Sequence, residues 1–178
     1  MVVTKEAVAT KQEEQLVIFE LGNESYGVDI GAVNTIIRMQ PVTHVPRAPE
    51  AVVGVINLRG SIVPVMDLRK RFLAGAYEET KASRIVVVET EIGVIGMIVD
   101  AVTETLSIAA DTIEPPSTLV STVDSQYLRG VAKVAERLII LLNIEKLFSR
   151  IETEAIGVIA STANQQAEEI PPADESMQ

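Results

Sequence analysis

The residues that most restrict what this chain can fold into are 54–72: Gly54-Val55-Ile56-Asn57-Leu58-Arg59-Gly60-Ser61-Ile62-Val63-Pro64-Val65-Met66-Asp67-Leu68-Arg69-Lys70-Arg71-Phe72. Two runs rich in Val and Ile flank Arg59-Gly60-Ser61, and the second ends at Asp67 before a charged turn. This pattern predicts strand, tight turn, strand and helix start: β-branched residues favour a pleated surface, and Gly60 takes a positive φ at little cost. Asn57 and Arg59 interrupt otherwise apolar runs, so the arginine falls at a hairpin tip, well placed to meet a partner. Pro64 has no backbone donor, so the second strand needs a free edge or a bulge there.

Residues 1–14 are polar and of mixed charge, and are expected to be disordered. Order begins near Gln15, with a strand over 16–21, a turn at 22–24, and a returning strand over 25–30 in which Tyr26, Val28 and Ile30 share a face. Val33, Ile36 and Ile37 fall at helical spacing, which predicts a short helix after the second strand with Ile36 in the core. Pro41, Pro46 and Pro49 punctuate an extended connection, and 50–53 are read as a single turn. A polar loop at 74–80 separates two halves. Strands follow at 84–89 and 93–100, and 102–108 alternate as extended chain. Residues 111–124, around Pro115-Pro116, read as an exposed loop, and 128–134 with 137–142 as the last hairpin. Helical spacing from Ile144 runs to about residue 160. Residues 161–178 read as a disordered acidic tail, a solubilising end without a further role.

Composition excludes several classes of function. With 178 residues, 47% of them apolar, the chain suffices for one domain or two small ones sharing a core. Its formal charge of −10 opposes nucleic-acid binding, which needs a basic face. The absence of cysteine suits a reducing cytoplasm. Neither a signal peptide nor a run of membrane-spanning length is present, so a cytoplasmic protein without direct membrane insertion is expected. Catalysis has little to stand on: His44 is the one histidine, and there is no nucleophile elbow or phosphate-cradling loop. No enzyme activity, cofactor or metal is expected. Asp67 and Asp100, each after an apolar strand, are read as caps.

A faint duplication runs through the chain. Gly27-Val28-Asp29-Ile30 is echoed by Gly96-Met97-Ile98-Val99, Leu58-Arg59-Gly60 by Leu128-Arg129-Gly130, and Asp67-Leu68-Arg69-Lys70-Arg71-Phe72 by Asn143-Ile144-Glu145-Lys146-Leu147-Phe148. Each half then offers two strand pairs, a connection and a helical turn, about what a closed barrel of five strands needs.

The run Gly54-Val55-Ile56-Asn57-Leu58-Arg59-Gly60 followed by Ile62-Val63-Pro64-Val65-Met66-Asp67-Leu68-Arg69 resembles the signature of the CheW family, the coupling proteins of bacterial chemotaxis. The likeness extends from about residue 15 to 148, through Tyr26-Gly27-Val28-Asp29-Ile30, Gly96-Met97-Ile98-Val99-Asp100, Tyr127-Leu128-Arg129-Gly130 and Leu141-Leu142-Asn143-Ile144-Glu145-Lys146-Leu147-Phe148, and covers neither tail. It implies an all-β fold of two five-stranded SH3-like β-barrels sharing a hydrophobic core, plus a C-terminal helix. The domain would span 15–160: a first barrel at about 15–80, a second at about 81–148 and the helix at about 144–160, with strand exchange between the halves allowed.

The resemblance also implies partners. It makes the chain a non-enzymatic adaptor, monomeric when free, that couples chemoreceptors to the histidine kinase CheA at membrane-associated receptor arrays. Spacing alone leaves Arg59 idle, bound to its own fold or partner-facing; the resemblance sets it, with Asn57, Val33 and Thr35, in the groove where chemoreceptor tips dock. An acidic residue is common at position 35, so the threonine removes a salt bridge from that position. Val42 and Val45, in 41–45, fall on the surface that meets the regulatory domain of CheA. Glu114 and Leu119 match a further contact that closes rings. Val42 and Leu119 also suit ordinary core or loop positions. The rival readings are a small ligand-binding barrel and a related scaffold serving another receptor array.

Overall fold

The computed structural model describes residues 12–48, 52–72, 78–91, 93–116 and 127–147. Within them the chain is built of eleven strands: β1 Glu13–Leu21, β2 Glu24–Asp29, β3 Val33–Arg38, β4 Val52–Leu58, β5 Ser61–Asp67, β6 Arg84–Thr90, β7 Gly93–Val99, β8 Ala101–Ala109, β9 Ile113–Glu114, β10 Leu128–Val134 and β11 Arg137–Leu142. Helix α1 (Leu68–Phe72) follows β5 and α2 (Ile144–Leu147) follows β11; 3₁₀ turns at Ile30–Ala32 and Ala110–Thr112 precede β3 and β9. The predicted disordered ends, most of the 111–124 loop and the helix beyond Leu147 lie outside the described residues.

Two sheets form, and each closes on itself. One runs β8-β1-β2-β11-β10-β9. Its edge strands β8 and β9 are separated only by the Ala110–Thr112 turn, so the sheet must curl until its ends meet. With β8 and β9 taken as one interrupted strand, it is a five-stranded barrel. The other runs β3-β6-β7-β5-β4. Here the chain beyond β3 returns to the far edge: Thr43 donates to the Val55 carbonyl at 2.8 Å and accepts from Val55 N–H at 2.9 Å. That bridge closes the second barrel. The barrels are therefore not the stretches 15–80 and 81–148: the first takes β1 and β2 with β8 to β11 and the second takes β3 to β7, so the halves exchange strands, β2 pairing in parallel with β11 and β5 with β7.

The long apolar runs are explained by what their two faces meet. On β1, Leu16 and Ile18 point into the first barrel while Val17 and Phe19 join the core shared between barrels. On β6, Ile85 and Val87 fill the second barrel while Val86 and Val88 face the shared core. A strand buried on both sides loses the alternation of a half-solvated one. Each large side chain removed from water contributes about 1.5–3 kcal/mol, so the shared core holds the barrels together. Phe19 and Tyr26, opposite each other on β1 and β2, stack there with centroids 6.1 Å apart.

Three local expectations are corrected. Residues 33–37 form strand, not helix: only Ile30–Ala32 turns, and β3 then pairs with β6. Ile36 is therefore 37% exposed, on the outer face of β3, instead of in the core, and Ile30 is exposed as well. Val52 and Val53 open β4 instead of a helical turn. Pro64 occupies a stretch of β5 paired only with β4, since the parallel pairing with β7 starts at Val65. The missing donor therefore faces no partner strand.

The duplication is real, but its middle echo is out of register. Gly54 lies opposite Val65 and Gly130 opposite Leu141, each just after a register shift in its hairpin. Leu128-Arg129-Gly130 therefore matches Val52-Val53-Gly54, and the counterpart of Arg59 is Ala135; both have left-handed backbone, φ 54° and 56°.

Candidate functional site

The β4–β5 hairpin turns on two residues, Arg59 at φ 54° and Gly60 at φ 89°, the type I′ geometry that matches strand twist. Asn57 sets the turn by accepting Gly60 N–H on Oδ1 at 2.8 Å, and its carbonyl accepts from Gln40 Nε2 at 3.2 Å. A non-glycine residue in left-handed backbone carries a cost of about 1 kcal/mol or more. The paired strands and the Asn57 contact offset that cost, and the exposed Arg59 side chain adds no hydrogen bond or ion pair among the described residues. The self-bound reading of Arg59 is thereby removed.

The structure brings Asn57 and Arg59 together, with the chain after β3 beside them through Gln40. It does not bring Val33 and Thr35 to the tip. Both lie toward the start of β3, half-buried, with Val33 packed on the shared core. The outward row of β3 is Asn34, Ile36 and Arg38. Ile36 is opposite Val86, whose side chain belongs to the shared core, so this exposed isoleucine borders the junction between barrels.

A groove of about 630 Å³ opens beside the chain that follows β3, with Met39, Val42, Val53 and Ile98 as its apolar part and Lys70 and Glu79 among its polar lining. Val42 packs against the interior of the second barrel as well as lining the groove, so it is partly a core residue. Val45 is half-buried and lies outside that cluster, and His44 is exposed. Glu114 is exposed on β9 and pairs with Val131, just as Thr43 pairs with Val55 in the other barrel. The segments around Val42 and Glu114 thus hold equivalent places at the two barrel seams. Leu119 lies outside the described residues. Apolar side chains pack together in the interiors of both barrels.

Sequence reasoning missed Arg69. Its guanidinium is buried and forks onto Asp67, with Nε to Oδ1 and NH2 to Oδ2 both 2.9 Å, while NH1 reaches Asp100 Oδ1 at 3.4 Å. Asp67 also accepts Arg69 N–H, the capping contact expected of it. Asp100 instead uses Oδ2 to accept Gly22 N–H, in the β1–β2 turn, at 2.7 Å. One arginine thus ties α1 and β5 of one barrel to a turn of the other. The hydrogen bond to Asp67 holds the Arg69 pKa above its ordinary value despite desolvation, and the charges of Asp67 and Asp100 add to the effect.

Two barrels packed on a shared core, an arginine unpartnered among the described residues at a hairpin tip and an open groove beside one seam define a double-barrel domain with surfaces available to other proteins. No group of three or more acidic or His residues suited to a metal occurs among the described residues, and no helix there is long and apolar enough to cross a membrane.

The sequence model of the CheW-like domain matches residues 15–152, and the chain belongs to that family. It is 36% identical to the chemotaxis protein CheW of Klebsiella aerogenes over 84% of this chain and 90% of that protein. FrzA of Myxococcus xanthus is 29% identical over 85% and 95%. Among solved structures, the scaffolding protein TtCheW of Thermoanaerobacter tengcongensis superposes with a TM-score of 0.73 at 40% identity, covering 79% of this chain and 91% of that one. Membership brings the role of chemotaxis adaptor.

Proposed function

We propose that this adaptor, without enzymatic activity, couples chemoreceptor tips to the regulatory domain of the CheA kinase, acting in the cytoplasm at receptor arrays. The observation that carries the receptor side is Arg59: exposed at the tip of the β4–β5 hairpin and unpartnered among the described residues. Its planar fork suits a carboxylate on a partner surface. Asn57 serves this site by fixing the turn. Exposed Ile36 supplies apolar area nearer to Val33 and Thr35, so the docking face extends along β3. The kinase side falls to the seam segment with Val42 and Val45, and the ring contact to the equivalent segment with Glu114 and Leu119.

Arg59→Asn separates binding from folding, because asparagine tolerates left-handed backbone better than arginine. It is expected to melt at or slightly above the wild-type temperature while binding a receptor-tip fragment about tenfold more weakly, about 1.4 kcal/mol. Calorimetric titration beside a thermal melt reads both. Unchanged affinity would remove Arg59 from the docking face. Co-elution with a CheA regulatory domain tests the kinase side.

A further inference from the structure

The bridge that closes the second barrel ends in a gap of one donor. Thr43 and Val55 exchange both backbone hydrogen bonds, and in an antiparallel ladder the next pair to do so lies two residues along on each strand. That pair is Pro41 and Asn57. The register calls for residue 41 to donate its N–H to the Asn57 carbonyl, and a proline has none. The carbonyl is met all the same, because Gln40 Nε2 donates to it at 3.2 Å.

The β4–β5 hairpin supports the same register. Leu58 and Ser61 are opposite each other across the two-residue turn, so their backbone groups face across the hairpin and those of Asn57, the neighbour opposite Ile62, face away from β5. The Asn57 carbonyl therefore depends on the chain that follows β3. Asn57 is also the anchor of the turn, since its Oδ1 accepts Gly60 N–H at 2.8 Å beside Arg59. What holds its carbonyl holds the turn.

We propose that the Gln40 side-chain amide takes the place of the missing Pro41 N–H, and that this contact positions the Asn57–Arg59 turn for docking. The substitution stands on the ladder register and the Gln40 contact; its consequence for binding rests on the reading of Arg59 as receptor-facing. Gln40 acts through Asn57 and so is a positioning residue. Unlike a backbone donor, which the chain holds in place, a half-buried side-chain amide gives up rotamer freedom to stay there.

The test is a cycle on the full chain. Gln40→Met keeps the length and apolar stem of the side chain and discards the donor, while Pro41→Ala returns a backbone N–H to the place the ladder assigns it. Gln40→Met alone should shift the Asn57 carbonyl-carbon resonance and weaken binding of a receptor-tip fragment about threefold, with the melt within about 4 °C of wild type. Beside Pro41→Ala the same substitution should change neither, because the carbonyl then has a backbone partner. An Asn57 resonance that ignores Gln40→Met, or a shift as large with alanine at 41 as with proline, would overturn the substitution of one donor for the other. Full affinity in Gln40→Met with Arg59→Asn impaired would overturn the positioning role. Full affinity in both variants would sink the docking reading and leave the Gln40 contact standing on the carbonyl shift.

Discussion

Arg69→Ala is expected to lower unfolding stability by about 3–5 kcal/mol, the loss typical when one partner is taken from a buried ion pair. The truncation leaves Asp67, only 4% exposed, without the fork that meets both its oxygens. It also severs the link through Asp100 to the β1–β2 turn, so it weakens the joint between barrels as well as one barrel. In a domain of this size the melting temperature should fall by about 10 °C, and a denaturant titration gives the free energy. Arg69→Lys keeps the charge but not the planar fork, and should fall between wild type and alanine. Pairing Asp67→Asn with Arg69→Met should recover part of the loss, because no uncompensated charge then remains. The folded state raises the Arg69 pKa, so the stability linked to it is complete below the ordinary arginine range and is lost only above the raised value. The alanine variant's deficit should therefore persist unchanged from neutral pH to about pH 10. A deficit under 1 kcal/mol would show the cluster to be incidental.

This cluster marks where legibility in the sequence ended. Asp67 as a cap was readable, because an acid between a strand and a helix start has a local use. Its second task was not, since Asp100 and Gly22 reach the site from distant stretches of chain. Most strands were legible for the opposite reason. Runs such as Ile85 to Val88 are apolar on both faces because each face meets a different core, and β-branched residues crowd a helix. The same rule was under-used at Val33, Thr35, Ile36 and Ile37, where three spacings mimicked a helical face. Burial alternates strictly along β3, but Ile36 is apolar on its outward row, so the sequence lacks the polar–apolar alternation that would have revealed a strand. Arg59 could be placed at a hairpin tip from its neighbours, but its lack of a partner is a property of the folded surface. The repeat misled at one point because similar residues recur six positions short of the true register; only the hairpin pairings show that Arg129 answers Val53, not Arg59.

The seam of the second barrel gives the other large expected effect. A Cβ added at Gly54 would sit 2.1 Å from the Thr43 carbonyl oxygen, 2.8 Å from its carbon and 3.0 Å from Val42 Cγ1. A side chain could rotate away from such a clash, but the obstruction here is backbone, and it belongs to the bridge that closes the barrel. Gly54→Ala should therefore force Thr43 off Val55, losing two backbone hydrogen bonds and loosening Val42 from the packing above it, at a total cost of about 3 kcal/mol or more. Gly60→Ala is the control: a Cβ there meets nothing within 4 Å, so only its left-handed φ is at issue, about 1 kcal/mol. Gly130→Ala repeats the experiment at the other seam, where the added carbon would lie 2.7 Å from the Glu114 carbonyl oxygen. If the seam segments are the kinase and ring surfaces, Gly54→Ala should reduce co-elution with a CheA regulatory domain more than Gly130→Ala does, at comparable loss of stability. If Gly60→Ala proved the most damaging of the three, closure by the Thr43–Val55 bridge would not be what holds this barrel in shape.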